Sequence, residues 1–325
     1  MMRSLFTFLF IAVATACFAQ KQETYFLKND GSVVSSIDNA DYTRTVTLPD
    51  KKRNTYLVTE SYKNGKRKLD GAAISVSPLI FDGEATTYFE NGNKKVVNKY
   101  NMGLLIGEQQ EFFPNGKLYI VENHLSAKEK PFPTNVYIIS NYDSLGTALV
   151  TNGKGNFKRY NAGFKHIVEE GSVKGGKPDG EWKLTQGDLN FVEVYSNGKL
   201  VSGKSTNKTG EVKTYTELAT LPSYPGGTNE FLKYLASNAK YPYKEASKGT
   251  NGKINVLFFI EPDGSITNAA VTQSLTPGLD AEVVRVIKQI PNKWIPATIR
   301  GVPVRSPYTA TINYGGQIWL NKSPF

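Results

Sequence analysis

YPGGTNEFLKYLASNAKYP, residues 224–242, breaks the rhythm of a chain that until then reads as short strands joined by Asn-Gly turns. Pro225-Gly226-Gly227 opens onto a compact helical pattern. Thr228 suits an N-cap, and Phe231, Leu232 and Leu235 share an apolar face. Tyr241-Pro242 closes the pattern, because proline disfavours a helical residue before it.

Working outward, the residues after Pro242 form an α+β order. Asn251-Gly252 leads into KINVLFFI, where Ile254, Val256, Phe258 and Ile260 alternate onto one face and Leu257 and Phe259 onto the other. Pro262-Asp263-Gly264 turns the chain and Ile266 to Val271 return. LDAEVVRVIKQI (279–290) spaces Leu279, Val283, Ile287 and Ile290 as a helix, with Asp280 near its positive end and Pro291 as its stop. Tyr308, Ala310, Ile312 and Tyr314 then alternate in a last strand. The predicted order is helix, strand, strand, helix, strand.

Upstream, a repeat appears. GEATTYFENG (83–92) and GEQQEFFPNG (107–116) lie 24 residues apart, with looser copies in SYKNGK (61–66), DGEWKLTQG (179–187) and VYSNGKL (194–200). LKNDGSVV adds a hairpin signal at Asp30-Gly31. Asn-Gly suits a type I′ turn, in which both central residues need positive φ. The aromatics before it pack across strands. One hairpin is marginal alone, so the units must lie side by side to bury their rings. The expectation is an extended antiparallel hairpin sheet from about Thr43 to Tyr215, with a possible break at Pro131-Phe132-Pro133. The chain is thus read as mainly β with a C-terminal α+β domain: an N-terminal segment (1–19), a hairpin repeat region (20–217) and a terminal domain (218–325).

Two resemblances follow. The hairpin units resemble MORN-type repeats and the YwqK-like proteins that carry them, which implies a repetitive β platform and little about function. Residues 222–314 resemble the C-terminal domain of the TonB family, on ordered matches: Pro225-Gly226-Gly227, Asn238, Tyr241-Pro242, Ala246, Gly252, Asp263-Gly264, Leu279-Asp280, Pro291, Trp294, Pro296 and Gly301 with Pro303-Val304. That resemblance implies a sheet of three antiparallel strands with two helices on one face, no catalytic residues and no cofactor. It implies binding of a partner peptide by strand addition, in which backbone hydrogen bonds supply affinity. The implied partner is the N-terminal segment of an outer-membrane transporter. Carried over, the partner-binding positions are Tyr241 and Pro242, with Thr309, Thr311 and Asn313 on the polar side of an edge strand at about Val304–Tyr314. The same residues also fit plain structural duty, Tyr241 as a core anchor and the strand residues as solvated positions.

Composition frames these expectations. The 325 residues carry a net charge of +10, 18 Tyr, 17 Phe and one cysteine, Cys17. Such a chain buries a real core and has no disulfide framework. The charge suits a solvated basic exterior or contact with anionic cell-wall polymer or lipopolysaccharide. No nucleic-acid motif accompanies it, and no Lys/Arg run is longer than Lys51-Lys52-Arg53. MMRSLFTFLFIAVATACFAQ reads as an export signal: Arg3, an apolar core from Leu5 to Val13, and cleavage after Ala19. Its apolar stretch is short beside the roughly 17–25 residues of a membrane span. The expected location is therefore periplasmic or envelope-associated. A lipoprotein at Cys17 and a retained inner-membrane anchor are the alternatives. With an anchor the protein would be an energy transducer; without one, an envelope binding protein or a β-repeat protein of the cell surface.

Enzymatic chemistry finds no constellation. The two histidines, His124 and His166, have no partner at metal-ligand spacing. GKLVSGKS (198–205) fits the phosphate-loop pattern, but TNKTGEVKTYT after it is rich in β-branched residues and glycine and makes no helix to cradle phosphate.

Overall fold

A computed structural model describes residues 21–49, 54–125, 136–291 and 293–314. The expected export signal, Cys17 and the break at Pro131-Phe132-Pro133 lie outside the described residues. Those described fall into two compact units, one reaching Gly155 and including Gly175–Lys177, the other beginning at Asn156. Strands dominate, and they give way at the C-terminal end to a small sheet with helices, as the sequence predicts.

In the first unit, strands at Tyr42–Thr47, Tyr56–Tyr62, Arg67–Val76, Leu79–Tyr88 and Lys94–Asn101 pair antiparallel in chain order. Gly107–Phe112, Leu118–His124 and Val136–Tyr142 continue the pattern. Three of the repeat's Asn-Gly turns, at Asn64, Asn91 and Asn115, differ from the expected type I′, whereas Asn197-Gly198 keeps it. Tyr62 and Lys66 close a three-residue loop, with Tyr62 N donating to Lys66 O at 2.8 Å and Gly65 N to Tyr62 O at 2.8 Å. Only the glycine is left-handed there (Gly65, φ 79°), which is the type I turn with a bulge. The reason lies in the asparagine: Asn64 Oδ1 accepts from Lys66 N at 2.9 Å, a bond that holds Asn64 in the ordinary region. Asn91 and Asn115 repeat this, accepting from Asn93 N (2.9 Å) and Lys117 N (3.0 Å). Genuine left-handed pairs do occur at Asn152-Gly153 and Asn197-Gly198.

The three-residue loops stack into a ladder. Lys66 Nζ donates to Asn91 O (3.0 Å), Asn91 Nδ2 to Pro114 O (2.6 Å), Asn115 Nδ2 to Ser144 O (3.0 Å) and Lys117 Nζ to Leu145 O (2.7 Å). Each turn side chain thus satisfies carbonyls of the next loop, and this ties the units edge to edge.

The second unit opens with more of the same architecture: Ile167–Lys174, Lys177–Gln186, Leu189–Ser196, Lys199–Thr206 and Val212–Tyr215. Rings lie on glycines here. A Cβ at Gly171 would meet Trp182 at 2.3 Å, and one at Gly203 would meet Tyr215 at 2.1 Å. The phosphate-loop look-alike is the turn and strand ending at Thr206, and Ser205 donates to Lys213 O across the sheet.

The terminal domain follows in the same unit. α1 (Thr228–Asn238), α2 (Tyr243–Ser247) and α3 (Pro277–Lys288) join three antiparallel strands: a central strand Gly252–Ile260, flanked by Ile266–Gln273 and Ser306–Tyr314. The N-cap of α1 is Gly227 rather than Thr228; at φ 84° glycine takes a backbone turn that threonine would resist, and no side chain caps the helix. α3 has the capped start: Thr276 accepts from Leu279 N at 3.3 Å, and Pro277 occupies the first turn. The core runs from Tyr224 through Phe231, Leu235, Ile254, Val256, Phe258 and Ile260 to Leu279, Val283, Ile287, Trp294, Ala310 and Ile312. The alternation in 254–260 and the helical spacing in 279–287 therefore point where predicted. Each large side chain buried there contributes about 1.5–3 kcal/mol.

Two features were not predicted. α2 is a single polar turn without apolar periodicity. And the last strand does not start at Val304. Ala297–Ile299 and Val302–Val304 form a separate hairpin, which pairs with Ala219–Thr220 in its own three-stranded sheet. The cause is Arg300-Gly301, both left-handed (φ 51° and 74°), which reverse the chain before Arg305 hands it to the strand at Ser306.

Candidate functional site

The terminal sheet has two edges, and their regularity differs. Ile266–Gln273 meets the central strand with register shifts between Asn255 and Val256 and between Leu257 and Phe259. Asn268 on that edge is left-handed (φ 52°). Bulges of this kind twist an edge away from further pairing. Ser306–Tyr314 meets the same central strand in unbroken register, from Ile260 opposite Ser306 to Gly252 opposite Tyr314. Among the described residues this strand pairs with the central strand alone, which places it at the edge of the small sheet.

Side chains sort by parity along this open edge. Tyr308, Ala310, Ile312 and Tyr314 face the helices; Tyr308 rings against Phe258 (5.4 Å) and Trp294 (4.7 Å). Burial raises the Tyr308 hydroxyl and pushes that of Tyr314 up to about 12, so both stay neutral through the physiological range. Thr309, Thr311 and Asn313 lie together on the opposite, half-buried face. Thr311 Oγ1 donates to Asn255 Oδ1 (2.8 Å), and Asn255 Nδ2 donates to Gln273 Oε1 (2.9 Å), a polar line across all three strands.

The other two predicted positions divide. Tyr241 sets its ring against Tyr314, tilted by 55° with centres 5.5 Å apart, at the far end of the edge strand, and its hydroxyl donates to Thr250 O. Pro242 instead starts α2, its carbonyl accepting from Glu245 N and Ala246 N at 3.0 Å. So four of the five named residues gather along or beside the open edge, and Pro242 serves the backbone next to it. A group the sequence did not single out marks the near end: Arg305 donates to Glu261 (3.0 Å) and lies 3.5 Å from the centre of the Phe259 ring. Thr267 also donates to Glu261, and this hydrogen bond, with the Arg305 pair, holds that carboxyl below its ordinary range. No spacing rule connects Phe259, Glu261 and Arg305, which meet only because the strands are paired in this register.

Residues 237–315 match the family model of the Gram-negative bacterial TonB protein C-terminal. No curated protein matches the chain. The match opens in the last turn of α1, whereas the buried core of the TonB-like domain reaches back to Tyr224. It implies a protein of the Gram-negative envelope linked to TonB-dependent transport, with outer-membrane transporters as the partner class. Among the described residues, no helix is long and apolar enough to cross a membrane, and no group of His, Cys, Asp and Glu is arranged to hold a metal. His124 is engaged with Gln109 (2.8 Å) and His166 sits on an exposed turn.

Proposed function

We propose that the TonB-like domain is a non-enzymatic binding module that takes an extended segment of an outer-membrane transporter as a further strand on Ser306–Tyr314. The observation that carries this reading is the contrast between the edges: unbroken pairing on Ser306–Tyr314, bulges on Ile266–Gln273. Strand addition needs a flat, regularly registered edge, and the unbroken pairing of Ser306–Tyr314 with the central strand supports that reading. Thr309, Thr311 and Asn313 would line one side of the incoming strand, and Tyr241 with Tyr314 would close its end. The hairpin repeats act as a platform in the periplasm that displays the domain.

Cysteine cross-linking tests this in the full chain with Cys17→Ser. Thr309→Cys and Thr311→Cys replace half-buried residues, and Asn268→Cys and Thr272→Cys are controls on the bulged edge. The probes are synthetic cysteine-bearing peptides tiling the N-terminal segments of the host's outer-membrane transporters. The expected result is disulfide capture at 309 and 311 that shifts by two residues with the peptide's register. Capture at 268 and 272, or none at any position, would sink the reading.

A further inference from the structure

Glu60 and Glu193 are the most deeply buried carboxylates among the described residues, 3% and 0% exposed. A buried carboxylate must be paired and fully hydrogen-bonded, and the two meet that demand differently. Glu60 finds its cations close by in the chain: Arg44 Nε and Nη2 at 2.9 and 2.6 Å, and Lys68 Nζ at 2.6 Å. Glu193, in the strand Leu189–Ser196, accepts from Tyr195 OH (2.7 Å) and Tyr215 OH (2.6 Å). Its cation comes from 107 residues further on, where Arg300 Nε donates at 2.8 Å.

Arg300 occupies the tip of the side hairpin of the TonB-like domain. Its φ of 51° is costly for a side chain without a compensating contact, and its guanidinium also lies 5.6 Å over the Phe191 ring. Gly301 beside it fits under Tyr215, where a Cβ would come within 2.9 Å. Around the tip the linker is bound in as well. Arg300 N donates to Leu218 O (2.8 Å), Ser223 and Ile295 exchange bonds at 2.9 Å each way, and Thr220 and Thr298 share a hydroxyl contact at 2.8 Å. The strand Val302–Val304 is separated from the open edge by Arg305 alone.

We infer that Arg300 is a plug that locks the TonB-like domain to the last hairpins, so that the two open and close as one cooperative body. The linker 216–223, which would otherwise let the domain swing, is held as the third strand of the side sheet. A pull on Ser306–Tyr314 passes through Arg305 and the side hairpin into Glu193 and the hairpin sheet. That consequence rests on the strand-addition reading; the coupling does not.

Hydrogen exchange of the full chain, followed by mass spectrometry, reads the coupling directly. In the wild type, peptides from 189–206 and from 252–314 should open together, with matching protection. Arg300→Gly separates plug from turn, because glycine accepts the left-handed backbone more readily than arginine. If Arg300 served only the turn, Arg300→Gly would leave protection equal or higher. As a plug, its loss should cut protection across 252–314 by about tenfold or more relative to peptides of the first unit, lower it at 189–206 where Glu193 is left without its cation, and uncouple the two segments. Glu193→Gln with Arg300→Met removes both charges; it should restore much of the protection at 189–206 while leaving the segments uncoupled. Separate opening already in the wild type, or a change confined to 297–304 in Arg300→Gly, overturns the inference.

Discussion

The hairpin region and the TonB-like domain solve burial in opposite ways. Every buried polar or charged residue among those described, from Thr47 to Ser205, lies in the hairpins, whereas the fifteen buried residues of the terminal core carry no charge. A single sheet has only two faces and little depth, so its interior is assembled from cross-strand pairs, glycine-seated rings and bracketed carboxylates. Two helices over a sheet enclose a volume, and aliphatic and aromatic side chains fill it. The lesson is one of cooperativity: damage to a pair within the hairpins stays near the pair, whereas damage to the shared core, or to the Arg300–Glu193 pair that reaches into its domain, spreads further.

The strongest way to break that comparison is Phe258→Ala. Phe258 has no exposed surface and touches Trp294 and Tyr308 with ring centres 5.6 and 5.4 Å away. Its truncation should cost about 3–5 kcal/mol, which consumes much of a domain's total stability. Denaturant titration should show early loss of the whole TonB-like domain, Trp294 environment included, with the first unit's transition in place. A loss confined to the central strand would show that this core is no more shared than a hairpin.

Asn91→Ala is the milder counterpart in the hairpins. It removes the bond to Pro114 O and the one that holds its own loop, from Asn93 N. Both are exposed, and about 1 kcal/mol is the expected cost. Faster exchange should appear in the loops at 89–93 and 113–117 and nowhere in the terminal domain. Spread of the effect beyond the neighbouring loops would mean that the ladder is cooperative along the sheet.

Much of this contrast was legible in the chain. Alternation at 254–260 and helical spacing at 279–287 are visible because one side of each element meets water and the other does not. The repeat was visible because the same turn chemistry recurs. The turn type follows the sequence at Asn197-Gly198 but not at Asn64, Asn91 and Asn115, because Asn-Gly serves both I′ and bulged type I loops, and the choice rests on a hydrogen bond two residues on. α2 has no apolar stripe to betray it, and Arg300-Gly301 lacks the asparagine that flags a left-handed pair. At the candidate site, the family resemblance supplies the edge strand, and parity within it then sets Thr309, Thr311 and Asn313 on the polar side. What distinguishes that edge from the other was not legible: the bulges opposite and the Arg305–Glu261–Phe259 group depend on register between strands, which local periodicity does not encode.

The smallest effect isolates the charge side of the comparison. Glu169, in the strand Ile167–Lys174, pairs with Arg159 at 3.4 Å and feels Arg300 as well, yet its pKa is raised above the ordinary value. Burial is the largest cause, ahead of both cations, and the negative charge of Glu193 adds to it. The folded chain therefore holds this proton more tightly than the unfolded chain, whose glutamate titrates near about 4.3. Below that value both states are protonated and Glu169 costs nothing. As pH rises from there toward the raised folded pKa, only the unfolded state has released its proton and stability falls; above the folded pKa a constant penalty remains. Glu169→Gln should thus melt higher than the wild type at pH 7, and the gap should close as pH drops below about 4. Melting curves for the pair between these limits decide it. A gap independent of pH would assign the change to packing, and a lower melting point at pH 7 would show that the Arg159 pair outweighs burial, as it would in a hairpin face open to water.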